Sequence, residues 1–356
     1  MHNPHQPHSE PAPSPLPLTV HDVQQARPIL RQHFSPAPLI RSYRLERALG
    51  LAPGRRVWIK DYGWTPVGSF KLMGALYWMH THRDQLGAAP VVAHSSGNFA
   101  AGLAFAGHRY QRRVILVMPD TAPRIKVANT LSWGAEIRTF NLANDPVTGE
   151  RDRLTREIHE QEHAFRAHPY DDPAVICGNG VGGLEIADHL RAEGRTLSHF
   201  FCAISGGGLM AGHLLSLADA FPAAHFIGVE PAGANDFQQS LAAGSRCRIE
   251  RPASICDGLL SYDVGGHNWP ILQRWVTSTV AVPDSATKEA MAWFYEHHGV
   301  RCEPSGAITI AAALRSGPAS LEGDGDIVLI LSGRNVDEDF FRQCLADTAA
   351  SGEPSH

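Results

Sequence analysis

Lysine is nearly absent from this sequence: of 31 lysine and arginine residues in a chain of 356, only Lys60, Lys71, Lys126 and Lys288 are lysines. Any chemistry that needs a neutral amine as nucleophile therefore has four candidates. A basic surplus is missing as well. The 36 acidic residues leave a formal net charge of −5, which argues against a nucleic-acid partner. No segment comes near the roughly 20 uninterrupted apolar residues that span a bilayer, and no charged start followed by an apolar stretch opens the chain. The expectation is a soluble, cytoplasmic protein with no nucleic-acid and no membrane partner. The cysteines, Cys177, Cys202, Cys247, Cys256, Cys302 and Cys344, are scattered. They form no CxxC pair and have no histidine at a matching spacing, so neither a zinc ribbon nor a disulfide framework is suggested and most of them are expected to be buried small apolar residues.

The chain is longer than one typical domain, so one large α/β unit or two lobes sharing a core is expected. Residues 1–18, rich in proline and histidine, lack apolar periodicity and are expected to form a disordered tail, as are residues 346–356. Between them, short apolar runs stop at turn-forming residues: VWIKD, VVAHSSGN, RVILVMPD, HFFCAISGGG, HFIGVEP and DIVLILSGRN. Helical patterns separate them over 97–108, 123–132, 151–163, 209–220 and 285–298. This alternation predicts a mainly parallel sheet covered on both faces, with ligands bound beyond the carboxyl ends of its strands.

Four segments carry chemistry. Ser205-Gly206-Gly207-Gly208 follows an apolar strand and precedes a helix, so its backbone can approach a ligand closely and present several N–H groups to a phosphate. It is not a P-loop, because no GK[ST] follows, and it lacks the GxGxxG dinucleotide fingerprint. Gly68-Ser69-Phe70-Lys71 puts a lysine at a helix start, where the positive dipole end favours the neutral amine that a carbonyl cofactor needs. His94-Ser95-Ser96-Gly97-Asn98 offers hydroxyls and N–H groups to a carboxylate, and Leu331-Ser332-Gly333-Arg334-Asn335 closes the last strand.

In this order the four segments resemble the fold-type II family of pyridoxal-phosphate enzymes, in its serine/threonine dehydratase and serine racemase branch, from about Pro38 to Asp337. The resemblance implies an α/β fold of two lobes, each a mainly parallel open sheet covered by helices. Residues 19–89 and 169–345 would form the large cofactor-binding lobe and 90–168 a small mobile lobe, in a homodimer. It makes Lys71 the Schiff-base lysine, with Phe70 beside it. It sets Asn98 at the ring hydroxyl, Ser205, Gly206, Gly207, Gly208 and Leu209 around the phosphate, Gly258 against the ring and Ser332 at the pyridine nitrogen. Ser95, Ser96, Gly97, Asn98 and Phe99 would bind the substrate. Glu230, the Ala234 carbonyl and Asp236 resemble a structural site for Mg2+ or Ca2+, which hard oxygen ligands favour. Two positions depart from the branch: Met73 stands where it usually has arginine, and Phe99 where it usually has histidine.

The activity implied is an ammonia-lyase that eliminates water from L-threonine or L-serine to give a 2-oxo acid and ammonia, with Lys71 as general base. A racemase is the alternative, in which Ser96 works on the face opposite Lys71. A further alternative is a relative that binds the cofactor without turnover.

Overall fold

Apolar runs bounded by turn residues fold here into strands buried along most of their length. In the computed structural model, which describes residues 16–95 and 97–350, the strands are β1 (Leu39–Arg41), β2 (Val57–Asp61), β3 (Val91–His94), β4 (Val114–Pro119), β5 (Glu136–Phe140), β6 (Phe165–Arg166), β7 (Leu197–Ala203), β8 (His225–Pro231), β9 (Ser278–Val282) and β10 (Asp326–Leu331). A six-stranded sheet has the order β1-β2-β10-β7-β8-β9 and is parallel except at the antiparallel β1–β2 edge. A four-stranded sheet has the order β5-β4-β3-β6 and is parallel throughout. Strands β2, β4, β7 and β10 are buried at every residue, as parallel strands covered by helices on both faces must be. The edge strands β5 and β9 are half exposed, so their sequences EIRTF and STVAV do not stand out as apolar runs.

The longest helix, Pro173–Ala192, is not among the helical stretches expected from the sequence. Its segment GNGVGG reads as a loop by propensity. The glycines are there for contact: a Cβ at Gly180 would lie 2.7 Å from the Gly212 carbonyl, and one at Gly178 would press on the Met73 backbone. Helix Gly208–Leu217 and helix Lys71–Leu86 pack directly on this surface. Packing thus overrides the local preference.

Both expected tails are shorter than their composition suggests. Leu16 and Leu18 pack against the core, so the amino-terminal segment is anchored before residue 19, and residues 1–15 lie outside the described residues. At the other end the helix Glu338–Ala350 runs through residues 346–350, because Phe341 and Cys344 bury one face of it. Five cysteines are buried, Cys247 is half-buried, and all six are free thiols. No helix among the described residues is long and apolar enough to cross a membrane.

The larger sheet carries a buried charge. Lys60 on β2 is 1% exposed, and its ammonium donates to the Ala37 carbonyl at 2.6 Å and to Glu185 Oε2 at 2.5 Å. Arg31 also contacts Glu185. Burial first, and the charge of Arg31 second, push Lys60 down to about 7. Removing one partner strands the other in an apolar interior. Glu185→Leu is expected to cost about 3 kcal/mol or more in urea unfolding, and Glu185→Leu with Lys60→Met to recover most of it. A single variant as stable as the parent would show that the pair is not coupled.

Candidate active site

The carboxyl ends of β3, β4, β7 and β10 open on one cavity of about 720 Å³. Phe70, Lys71, Ser95, Asn98, Phe99, Ser205, Gly206, Gly207, Gly208, Leu209, Gly258 and Ser332 all line it, although they come from segments spread over most of the chain. Of the described residues read as substrate-binding, one is not on its wall. Gly97 is buried beneath the stem of Lys126, which a Cβ at 97 would overlap. Ser96 lies outside the described residues.

Lys71 is the first residue of the helix Lys71–Leu86. The turn before it is stitched to the end of β10: Phe70 N donates to the Ser332 carbonyl at 3.0 Å, Arg334 N to the Gly68 carbonyl at 2.9 Å, and Ser69 bridges to Gly333. Gly68 makes this possible at φ +70°, where any side chain would also meet Asn335. The Lys71 ammonium donates to the Pro169 carbonyl at 2.9 Å and stands 5.2 Å and 5.8 Å from the ring centres of Phe70 and Phe99. Burial pushes its pKa down to about 8. The apolar seat therefore favours the neutral amine.

The glycine loop is built against Tyr170. A Cβ at Gly206 would overlap the Tyr170 ring, one at Gly208 would lie 2.8 Å from the Tyr170 carbonyl, and Gly207 has φ +96°. The first helical bond runs from Ala211 N to the Gly207 carbonyl, which leaves the N–H groups of Gly208, Leu209 and Met210 without a helical acceptor, with Gly208 and Leu209 on the cavity wall. This backbone can hold a phosphate. The loop leaves no room for side chains, as a cradle of this kind requires.

Around Asn98 the side chains dictate one amide orientation. Glu303 Oε1 accepts from Asn98 Nδ2 at 2.7 Å, and Asn335 Nδ2 donates to Asn98 Oδ1 at 2.9 Å. The second hydrogen of Asn98 Nδ2 is then the one left for a ring hydroxyl. Glu303 is held in turn by Lys126, whose ammonium lies 2.9 Å from Glu303 and 2.5 Å from Asp257. Burial alone would lower the pKa of Lys126; Glu303 and Asp257 outweigh it and keep the ammonium charged. At the far end, Ser332 Oγ donates to the Ser305 carbonyl at 3.0 Å, while Ser305 Oγ accepts from Gly258 N at 3.0 Å. These bonds order the wall at which a pyridine ring would rest.

Lys126, Arg151 and Tyr170 also line the cavity and are not singled out by the sequence pattern. The scarcity of lysine held a signal for the first: of the four lysines, Lys60 and Lys126 are buried. Arg151 reaches the cavity beside His94 and pairs with Asp152 at 3.2 Å. Burial, followed by the charge of Arg151, drives His94 down to about 4, so it is a neutral imidazole. Met73 is buried in the core and does not line the cavity. The departure at 73 therefore removes nothing from the cavity wall, whereas Phe99 makes part of that wall apolar.

Apart from the cavity, Glu230, next to last in β8, accepts from Phe237 N at 2.9 Å and Gln238 N at 2.8 Å. Asp236 is fully buried, yet neither of its carboxylate oxygens has a partner. Burial, and then the charge of Asp236, push Glu230 up to about 8; burial raises Asp236 to about 7. Among the described residues no group of three or more His, Cys, Asp or Glu converges as a metal site. A cation here would need backbone carbonyls and water besides the two carboxylates, and the orphaned oxygens of Asp236 fit that role.

The depressed pKa of Lys71 has a measurable sign. Only the neutral amine attacks a carbonyl, so capture of pyridoxal phosphate by the apoprotein is expected to speed up with pH to about 8 and then level off. A rate that keeps climbing to above about 10 would mean an ordinary exposed lysine. Lys71→Ala should abolish the visible band of the covalently held cofactor.

Comparison with known proteins agrees with this geometry. The family model described as pyridoxal-phosphate dependent enzyme matches residues 30–333. The chain is 32% identical over 325 residues to L-threo-3-hydroxyaspartate ammonia-lyase from Pseudomonas sp, covering 91% of this chain and 98% of that one. Its fold is similar to that of maize serine racemase, with TM-score 0.83, 28% identity and coverage of 94% and 98%. It is similar as well to the threonine deaminase of T.th., with TM-score 0.81, 30% identity and coverage of 90% and 99%. The chain belongs to the pyridoxal-phosphate dependent enzyme family, in the branch that contains these ammonia-lyases and racemases.

Proposed function

We propose that this protein is an ammonia-lyase for β-hydroxy amino acids whose preferred substrate carries a second carboxylate, as 3-hydroxyaspartate does, rather than the plain side chain of L-threonine or L-serine. The observation that carries the preference is Arg151 at the cavity wall beside neutral His94. A guanidinium there gives a β-carboxylate a charged, forked partner that threonine cannot use. The relative named L-threo-3-hydroxyaspartate ammonia-lyase supports the same reading.

Pyridoxal phosphate, when bound, supplies the electron sink that acidifies the substrate Cα–H. Lys71 would hold it covalently, the N–H groups at Gly208 and Leu209 its phosphate, Asn98 its ring hydroxyl and Ser332 its ring nitrogen. The helix start at Asn98–Phe99, with the Ser95 hydroxyl beside it, suits the α-carboxylate. The Lys71 amine, neutral above about pH 8, accepts the Cα proton within the apolar seat between Phe70 and Phe99. The β-hydroxyl leaves as water on taking up a proton, which the Lys71 ammonium can return, and a second water hydrolyses the released imine to a 2-oxo acid and ammonia. Ser332, its hydroxyl turned from the Ser305 carbonyl, would be an uncharged donor to the ring nitrogen, so the ring would not be forced to carry a proton there.

The test is 2-oxo acid release from L-threo-3-hydroxyaspartate, L-threonine and L-serine by the parent and by Arg151→Met. The parent is expected to favour hydroxyaspartate in kcat/KM. Arg151→Met should lose about 100-fold with hydroxyaspartate and only about threefold with threonine. Equal losses for both substrates, or a parent that prefers threonine, would remove the second carboxylate from the proposal. Chiral analysis of recovered substrate tests the racemase alternative: inversion that disappears in Ser96→Ala would assign Ser96 as a second base.

Glu230, Asp236 and the Ala234 carbonyl are the groups that would hold a divalent cation. Chelation is expected to lower the melting temperature, and Asp236→Asn to make melting insensitive to added Mg2+ or Ca2+. A parent whose melting is indifferent to chelator and cation would leave Asp236 as a protonated buried acid.

A further inference from the structure

Behind the glycine loop, the three peptide units at the head of the helix Gly208–Leu217 have their carbonyls bound from the rear. The Gly207 carbonyl, on the unit carrying Gly208 N–H, accepts from Ala211 N at 2.8 Å. The Gly208 carbonyl, on the unit carrying Leu209 N–H, accepts from Asn179 Nδ2 at 3.3 Å. The Leu209 carbonyl, on the unit carrying Met210 N–H, accepts from His213 Nδ1 at 2.9 Å. A hydrogen bond to the carbonyl of a peptide unit polarises the N–H of that unit and fixes its direction.

His213 is fully buried, and its geometry admits one tautomer. Nδ1 faces a carbonyl, which only accepts, so Nδ1 carries the hydrogen. Nε2 is then an acceptor, and the Tyr62 hydroxyl donates to it across 2.7 Å. Tyr62 is also fully buried, in the turn that follows β2, with its ring edge-on to Phe70 at 6.4 Å between centres. Gly182 clears the hydroxyl, because a Cβ there would overlap it. Burial holds His213 at about 4, so the ring stays neutral and the tautomer does not change across the working range of pH. Phe70 precedes Lys71, so Tyr62 lies behind the lysine turn and, through His213, behind the phosphate cradle.

We infer that Tyr62 and His213 are a positioning pair for the cofactor phosphate: Tyr62 sets the tautomer of His213, and His213 braces the first turn of the helix Gly208–Leu217 so that its open N–H groups stay aimed at the phosphate. The inference rests on the reading of Ser205–Leu209 as the phosphate seat. Neither residue touches the cofactor. Their effect is on the aim of donors that do, as an outer partner orients a ligating group.

The experiment compares two probes, pyridoxal phosphate and unphosphorylated pyridoxal, titrated into apoprotein of the parent and of Tyr62→Phe. The substitution keeps the ring and removes one hydroxyl. Affinity for pyridoxal phosphate is expected to fall about five- to tenfold, the worth of one buried hydrogen bond, with affinity for pyridoxal unchanged to about twofold. Equal losses for the two probes would mean a general effect on the fold and overturn the pair, as would an unchanged affinity for the phosphorylated one. A parent that binds both probes equally tightly would overturn the phosphate seat itself, a different failure with a different signature. His213→Leu removes donor and acceptor together and leaves no orphaned ring nitrogen. It should show the same selective loss, and a folded His213→Leu that keeps the parent's preference for the phosphorylated probe refutes the inference.

Discussion

Lys126 is the charge on which the arrangement of the cavity depends. Its ammonium is buried between Glu303 and Asp257, which come from a helix start and a short turn attached to the larger sheet, while Lys126 itself sits in the helix between β4 and β5 of the smaller one. Its stem covers Gly97, and Glu303 sets the amide of Asn98. One buried cation thus joins the two sheets and orients the asparagine loop. A surface ion pair could not do this, because water would screen it and leave its partners free to turn. Burial raises the cost of any arrangement that leaves one of the three groups unpaired, so the low dielectric that makes the cluster costly also makes its geometry unique.

Glycine plays the complementary part. Gly178, Gly180 and Gly212 bring helix backbones into contact, and Gly206 and Gly208 bring the loop against Tyr170. The close approach leaves the backbone of Gly208 and Leu209, at the head of the helix Gly208–Leu217, on the cavity wall. The same economy of side chains that packs the core therefore shapes the candidate phosphate seat. Arg334 and Asp61 repeat the logic at the end of β10, where their ion pair holds the loop that pins the turn before Lys71.

Much of the fold was legible in the chain because parallel strands buried on both faces are written as unbroken apolar runs. The runs at 57–61, 114–119 and 326–331 need no tertiary information to be seen. The helix Pro173–Ala192 was not legible, since its glycines are chosen for contacts with helices distant in sequence and read locally as a loop. The half-exposed strands β5 and β9 have too few apolar residues to stand out. The carboxy-terminal tail is short for the opposite reason: Phe341 and Cys344 are a sparse stripe, sufficient to hold a helix once a core is present to receive it.

By itself the sequence determined the parts of the site that are local: a lysine one residue after Gly-Ser-Phe, three glycines at a strand-to-helix turn, an asparagine at the head of a helix and a serine at the end of the last strand. Each is a statement about a few consecutive residues, and backbone chemistry at such turns follows from residue type. The tertiary structure alone decided what surrounds them. Lys126 meets Asp257 across 131 residues, Tyr62 meets His213 across 151, and the amine of Lys71 is lowered by an apolar seat that includes Phe99. Desolvation and ion pairing depend on distance in space, and only the packed chain brings those groups within reach of one another.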